Sequence, residues 1–151
     1  MSDEPNAWWP SPWFWEVVES SNRDLRTLCR TLESLPQEDL RRFQFDYEDA
    51  MSYVNPCTCQ KYWPYLEECS ADAATDFADW VVRQGRSFYA EVRGSPQLIG
   101  RYWEAFETCE VGSESSNLGW NVEVDRPEYR GWQTPAGIAR PIHRLRFGED
   151  L

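Results

Sequence analysis

Apolar residues recur at three- and four-residue spacing through most of the first 110 positions, with charged residues filling the opposite faces. Ser11-Pro12 reads as an N-cap and first helical position for a helix over 13–21, WFWEVVESS. Asn22 can cap a second helix over 23–35, where Leu25, Leu28, Cys29 and Leu32 form a buried stripe. A third is predicted over 37–54, opening after Ser34 or the Pro36 turn, with Glu38 and Asp39 early, where the helix dipole favours acids. Its inward stripe is Leu40, Phe43, Tyr47, Ala50 or Met51, and Val54, and Asn55-Pro56 ends it.

The stretch 57–68, CTCQKYWPYLEE, is aromatic and interrupted by Pro64. Ser70 then caps a further helix, in which Ala73, Phe77, Trp80, Val81 and Gln84 share one side and Asp72, Asp76, Asp79 and Arg83 a second, polar stripe. Gly85 is the expected left-handed stop. Ser95-Pro96 opens another helix, reaching 110. Beyond Gly112 the helical period disappears, 120–124 (WNVEV) alternates as a strand does, and 125–147 reads as irregular or short-stranded. The expected fold is therefore mainly α: a compact bundle of about five to six helices over 11–110, an irregular arm over 1–10, and an irregular or short-stranded extension over 111–151 packed on the bundle.

Composition sharpens this picture. A chain of 151 residues with 15% aromatics and nine tryptophans can build one domain with a substantial core. No apolar run is long enough to span a membrane, and the acidic, aromatic N-terminus lacks a secretory pattern, so no membrane partner is expected. Five cysteines, an odd number, fit reduced thiols better than a disulfide frame, which makes a bacterial-type cytoplasm the expected location.

The net charge is −11 and unevenly spread. Residues 1–125 hold 10 of the 15 basic groups and 23 of the 26 acids, whereas 126–151 hold five arginines and three acids. An acidic body repels phosphates, which excludes nucleic acid as an expected partner. The basic tail can fold back on the body or reach an acidic partner.

Candidate chemistry is sparse. There is no Gly-rich phosphate loop, no Gly-x-Ser-x-Gly elbow and no His-Glu-x-x-His pair. Glu67, Glu68, Asp72 and Asp76 can be read as an acidic site or as a solvated helix face, and the helix alone accounts for them. Cys57-x-Cys59, with Cys69 and Cys109, could be assembled into a thiolate zinc site, but the usual two-residue spacer is missing, so no metal and no cofactor are assigned. The only histidine, His143, would have to serve any imidazole-based mechanism, including one with a cysteine nucleophile. Trp8, Trp9, Trp13 and Trp15 cannot all face inward from one helix side, which makes Trp8 and Trp9 candidates for partner or ligand contact.

As an ordered set, several of these residues resemble a bacterial family, the domain of unknown function 4240. The set comprises Phe14-Trp15-Glu16, Leu35-Pro36-x-Glu38, Phe43-Gln44, Cys69-Ser70-x-Asp72, Phe77, Trp80, Gln84-Gly85-Arg86, Tyr89 and Ser95-Pro96, spanning about 13–108. The resemblance implies a compact, mainly helical domain and no established chemistry. This chain departs from the family in having Glu67 and Glu68 where members carry two glycines, and Ala73 where they carry an acid. The tail from about 112 lies outside the resemblance.

Two functions follow as expectations. The first is an acidic, non-enzymatic interaction protein that binds a basic protein partner, as an immunity or antitoxin-like inhibitor or an accessory subunit would. The second is a small enzyme or ligand-binding accessory protein of bacterial specialised metabolism, its pocket between helical body and tail. For that, Arg86 would clamp a carboxylate or phosphate, Tyr89 would donate a proton and Asp72 would act as base, with Cys69, Ser70 and His143 nearby. The binding candidates are Trp8, Trp9, Glu68, Asp72, Asp76, Arg86, Tyr89 and His143. A concave pocket gathering several of them would favour the second function.

Overall fold

The computed structural model describes residues 9–66, 69–112 and 119–151. The chain is mainly helical, as expected, and among the described residues there is no strand: the alternating 120–124 segment contributes one isolated parallel bridge, Asn121 to Asp24. The helices are α1 (Pro12–Ser20), α2 (Leu25–Glu33), α3 (Gln37–Ser52), α4 (Ala71–Arg83), α5 (Arg86–Gly94), α6 (Ile99–Gly112) and α7 (Ala139–Phe147), with a 3₁₀ helix at Gln60–Tyr65.

Local capping accounts for most boundaries. Ser11 Oγ accepts the Phe14 N–H at 3.3 Å with Pro12 in the first turn, and Ser70 Oγ accepts the Ala73 N–H at 3.1 Å. The cap of α2 is Asp24 rather than Asn22: Asn22 and Arg23 take left-handed backbone (φ 55° and 60°), and Asp24 then accepts from Arg26 N at 3.3 Å. Asparagine tolerates that conformation, so it turns the chain instead of capping it.

Aromatic rings fill the core. Phe14 packs on Trp15, Phe43 and Tyr47, and Trp15 packs on Tyr89. Phe77 and Trp80 of α4 meet Phe106 of α6. Fully burying one such ring stabilises by roughly 1.5–3 kcal/mol relative to leaving it exposed.

The tail departs from expectation by forming α7, which packs on α2 and α3. Ile138, Ala139, Ile142 and His143 supply its buried side. Pro141 lies within its first turn, where its missing N–H costs no intrahelical bond. Arg146 donates to the carbonyls of Leu32 (3.3 Å) and Leu35 (2.6 Å), serving the C-terminal end of α2 from another helix. Arg140 pairs with Glu48, Arg41 with Glu149 at 3.1 Å, and Arg26 with Glu123 at 3.3 Å, so the tail's charges meet charges of the opposite sign on the body.

Candidate functional sites

The end of α4 carries a charge pair that the helical pattern had placed on a polar face. Arg83 Nη2 donates to Asp79 Oδ2 at 2.7 Å with both residues buried, and the Tyr47 hydroxyl of α3 donates to Asp79 Oδ1, also at 2.7 Å. Burial, then the neighbouring Asp79 charge, holds the Tyr47 hydroxyl well above the usual tyrosine range. For Arg83, burial opposes the charged form and Asp79 favours it; the carboxylate prevails and raises its pKa. Trp120, from beyond α6, donates its indole N–H to the Arg83 carbonyl at 3.2 Å. This network lies beside a cleft of about 330 Å³ formed by Val18, Glu19, Asn22, Gly85 and Trp120.

Glu19 shapes the same junction. Its Oε2 accepts the Arg86 N–H at 2.6 Å, so α1 supplies the cap that α5 lacks. Gly85 between α4 and α5 has φ 103° and ψ 179°, a glycine region distinct from the expected left-handed stop. A Cβ here would stand 3.0 Å from Glu19 Oε2.

The sequence-derived candidates disperse over the molecule. Trp9 is half exposed, stacks on the Arg93 guanidinium (3.8 Å to the ring centroid) and meets the Tyr89 ring edge-on at 6.0 Å. Arg93 in turn lies over the Tyr53 ring at 4.5 Å. Tyr89 is buried, its hydroxyl donating to the Ala50 carbonyl at 2.9 Å, and burial pushes its pKa up. A proton-donor role in an open pocket has no support in that position. His143 is buried as well, with Nε2 3.1 Å from Gln37 Nε2 and Nδ1 2.7 Å from the Glu149 carbonyl. Asp72 and Asp76 are exposed on α4, and Arg86 is exposed at the start of α5. Trp8 and Glu68 lie outside the described residues. Of the candidates among the described residues, Trp9 and Tyr89 are brought together, Asp72, Asp76, Arg86 and His143 are not gathered with them, and none of these six lines the cleft beside Arg83 or the cavity along α7.

A larger cavity, about 640 Å³, lies along α7 and involves Trp132, Arg140, Pro141, Arg144, Leu145 and Leu151. Sequence reasoning missed these residues because it gave 125–147 no helix. The recurrence of Pro141 and Leu145, and of Arg140 and Arg144, at four-residue spacing was the available signal. Among the described residues, no group of three or more His, Cys, Asp or Glu side chains is placed to hold a metal ion. The side chain of Cys109 lies outside them.

The family model described as protein of unknown function (DUF4240) matches residues 12–118. The chain belongs to that family. No curated protein and no solved structure shows significant similarity to it. Several residues of the DUF4240 resemblance have structural roles here: Phe14, Trp15, Phe43 and Tyr89 build the core, Ser70 caps α4, and Gly85 and Arg86 complete the Glu19 junction. Helix α7 and the larger cavity lie beyond the DUF4240 match.

Proposed function

We propose that the protein is an acidic, non-enzymatic binding module of the bacterial cytoplasm that captures a basic protein partner, as an inhibitor of the immunity or antitoxin type or an accessory subunit does. The observation that carries this reading is how the charge is spent. Arg26, Arg30, Arg41, Arg42, Arg83, Arg126, Arg140 and Arg144 all pair with carboxylates of the same chain. Glu16, Glu38, Asp72, Glu104, Glu107 and Glu128 are exposed and enter no ion pair among the described residues. The excess negative charge therefore faces solvent, where it accelerates encounter with a cationic surface. Phe45, Trp63 and Tyr65 are 62%, 53% and 50% exposed and supply aromatic anchors of the kind that dominate binding energy. The dispersal of Asp72, Arg86, Tyr89 and His143 withdraws support from a catalytic reading.

Native mass spectrometry of the protein purified from its host tests this reading, paired with the charge-reversed variant E104R/E107R. The expected result is a retained basic protein whose affinity falls with salt and falls further in the variant. A bare mass, or a partner whose binding ignores salt and charge reversal, overturns it.

The cavity along α7 favours a second reading, a small-molecule site at the tail. Its volume suits a ligand, and Trp132 and Leu145 offer exposed apolar contact in a lining that also includes Arg140 and Arg144. A retained small molecule that Leu145→Glu releases would support this reading.

A further inference from the structure

Two cysteines in separate connecting segments are brought together, and neither lines either of the two cavities. Cys57 follows α3 in a turn closed by its own N–H, which donates to Asn55 Oδ1 at 2.9 Å. Cys69 immediately precedes Ser70, the cap of α4. Their Sγ atoms are 3.4 Å apart, and the Cys57 thiol also faces the carbonyls of Cys69 at 3.6 Å and Ser70 at 3.9 Å. A disulfide holds its sulfurs about 2.05 Å apart. Closing the present 3.4 Å gap takes about 1.4 Å of movement by residues that belong to no helix. Both side chains are half-buried, within reach of small oxidants. Cys29 is different: it is buried on α2, and burial and then Glu33 push its thiol up to about 12.

We propose that Cys57 and Cys69 form a peroxide-responsive dithiol–disulfide pair that, when oxidised, ties the turn after α3 to the start of α4. The Cys57 thiolate attacks a peroxide oxygen, the O–O bond breaks and hydroxide leaves, giving a sulfenic acid at Cys57. The Cys69 sulfur then attacks the Cys57 sulfur, losing its proton as the S–O bond breaks and water departs. Two thiols are thus oxidised by two electrons while one hydrogen peroxide becomes two waters. A low-molecular-weight thiol reverses the bridge and is itself oxidised to its disulfide. Cys69 takes the resolving role in this scheme: burial, then the hydrogen bond with Cys57, pushes its thiol up to about 11, which disfavours its thiolate. The bridge would tie together the two ends of the segment carrying the exposed Trp63 and Tyr65, giving oxidation a route to that surface. The dithiol chemistry itself stands apart from the partner reading.

The test is hydrogen peroxide treatment of the full-length, reduced protein, followed by intact mass and tryptic mapping. Cleavage after Lys61 places Cys57 and Cys69 on different peptides. The expected result is loss of two hydrogens, a cross-link joining those peptides, and recovery of both thiols with dithiothreitol. Cys59 shares a peptide with Cys57, so Cys59→Ser should keep the cross-link and Cys57→Ser should abolish it. In Cys69→Ser, dimedone should trap a sulfenic acid at Cys57. A bridge that survives Cys57→Ser overturns the proposal, as does oxygen added at Cys57 of the wild type without a cross-link. So does undiminished alkylation of both wild-type thiols after peroxide, a result that needs no variant to fold.

Discussion

Glu19 reaches from the last turn of α1 to the first turn of α5, where its carboxylate accepts the Arg86 backbone N–H at 2.6 Å. The cap is sixty-seven residues from the helix it serves, so α5 starts at a place fixed by tertiary contact rather than by the residue before it. Gly85 makes the approach possible because it has no side chain where Glu19 lies and because its φ of 103° is unfavourable for any L-residue.

Gly85→Ala is therefore expected to destabilise the fold by about 1–3 kcal/mol, from backbone strain together with displacement of Glu19. Gly94→Ala has nothing within 4 Å of the new Cβ and no positive φ, and is the control. Urea denaturation midpoints of both variants check the contrast. Equal midpoints would mean that the junction is not strained as described.

The buried pair at the end of α4 yields the largest expected change. Asp79→Asn leaves the Arg83 charge buried beside Tyr47 without its counter-charge, a change that costs about 3–5 kcal/mol when a buried pair is broken. Asp72→Asn, on the same helix but exposed, should fall within about 0.5 kcal/mol of wild type. Tyr47→Phe removes one hydrogen bond to Asp79 and should cost about 1 kcal/mol. Unfolding free energies of the three variants give the ranking directly.

That pair also marks where sequence reasoning ran out. Ser70, Phe77 and Trp80 announced α4 because capping and the three-to-four spacing are local properties. Asp79 and Arg83, four apart, fit an exposed supporting pair equally well; Tyr47 from α3 and Trp120 from beyond α6 put them inside. Tyr89 and His143 were selected by residue type, and their burial likewise depends on distant neighbours. Helix α7 was missed because four of its nine residues are arginine or proline, and its apolar side is only two turns long. Arg146 contributes there through carbonyls of α2, a contact that no local pattern announces.

Asp46 sets a pH dependence. It is buried on α3, and burial raises its pKa above the usual 3.8 despite Arg42, whose Nε lies 3.6 Å from its carboxylate. The folded state thus holds this proton more tightly than the unfolded state does. Its stabilising contribution is fully present below the unfolded value and is lost as pH rises through the folded one. Asp46→Asn removes that dependence, so the stability of the variant relative to wild type should improve from acid to neutral pH. Urea midpoints measured for both proteins across that range check the sign, and an unchanged difference would show that Asp46 does not titrate as its burial dictates.

Removing the support of α7 should damage the fold even though the helix lies outside the family match. Ile142 is fully buried where α7 packs on α2 and α3, so Ile142→Ala should cost about 2–5 kcal/mol. Leu145, one turn later and 44% exposed, should tolerate the same change within about 0.5 kcal/mol. Arg146→Ala removes the side-chain donor to the Leu35 carbonyl and a second donor to the Leu32 carbonyl, which keeps the Leu35 N–H, and should cost about 1 kcal/mol. A fragment ending at residue 118 bares the faces of α2 and α3 that α7 covers, and lacks Trp120 as well. It should therefore unfold without the cooperativity of the full chain when followed by circular dichroism on heating. A fragment that unfolds as sharply, and at the same temperature, would show that α7 is an accessory to the bundle rather than part of it.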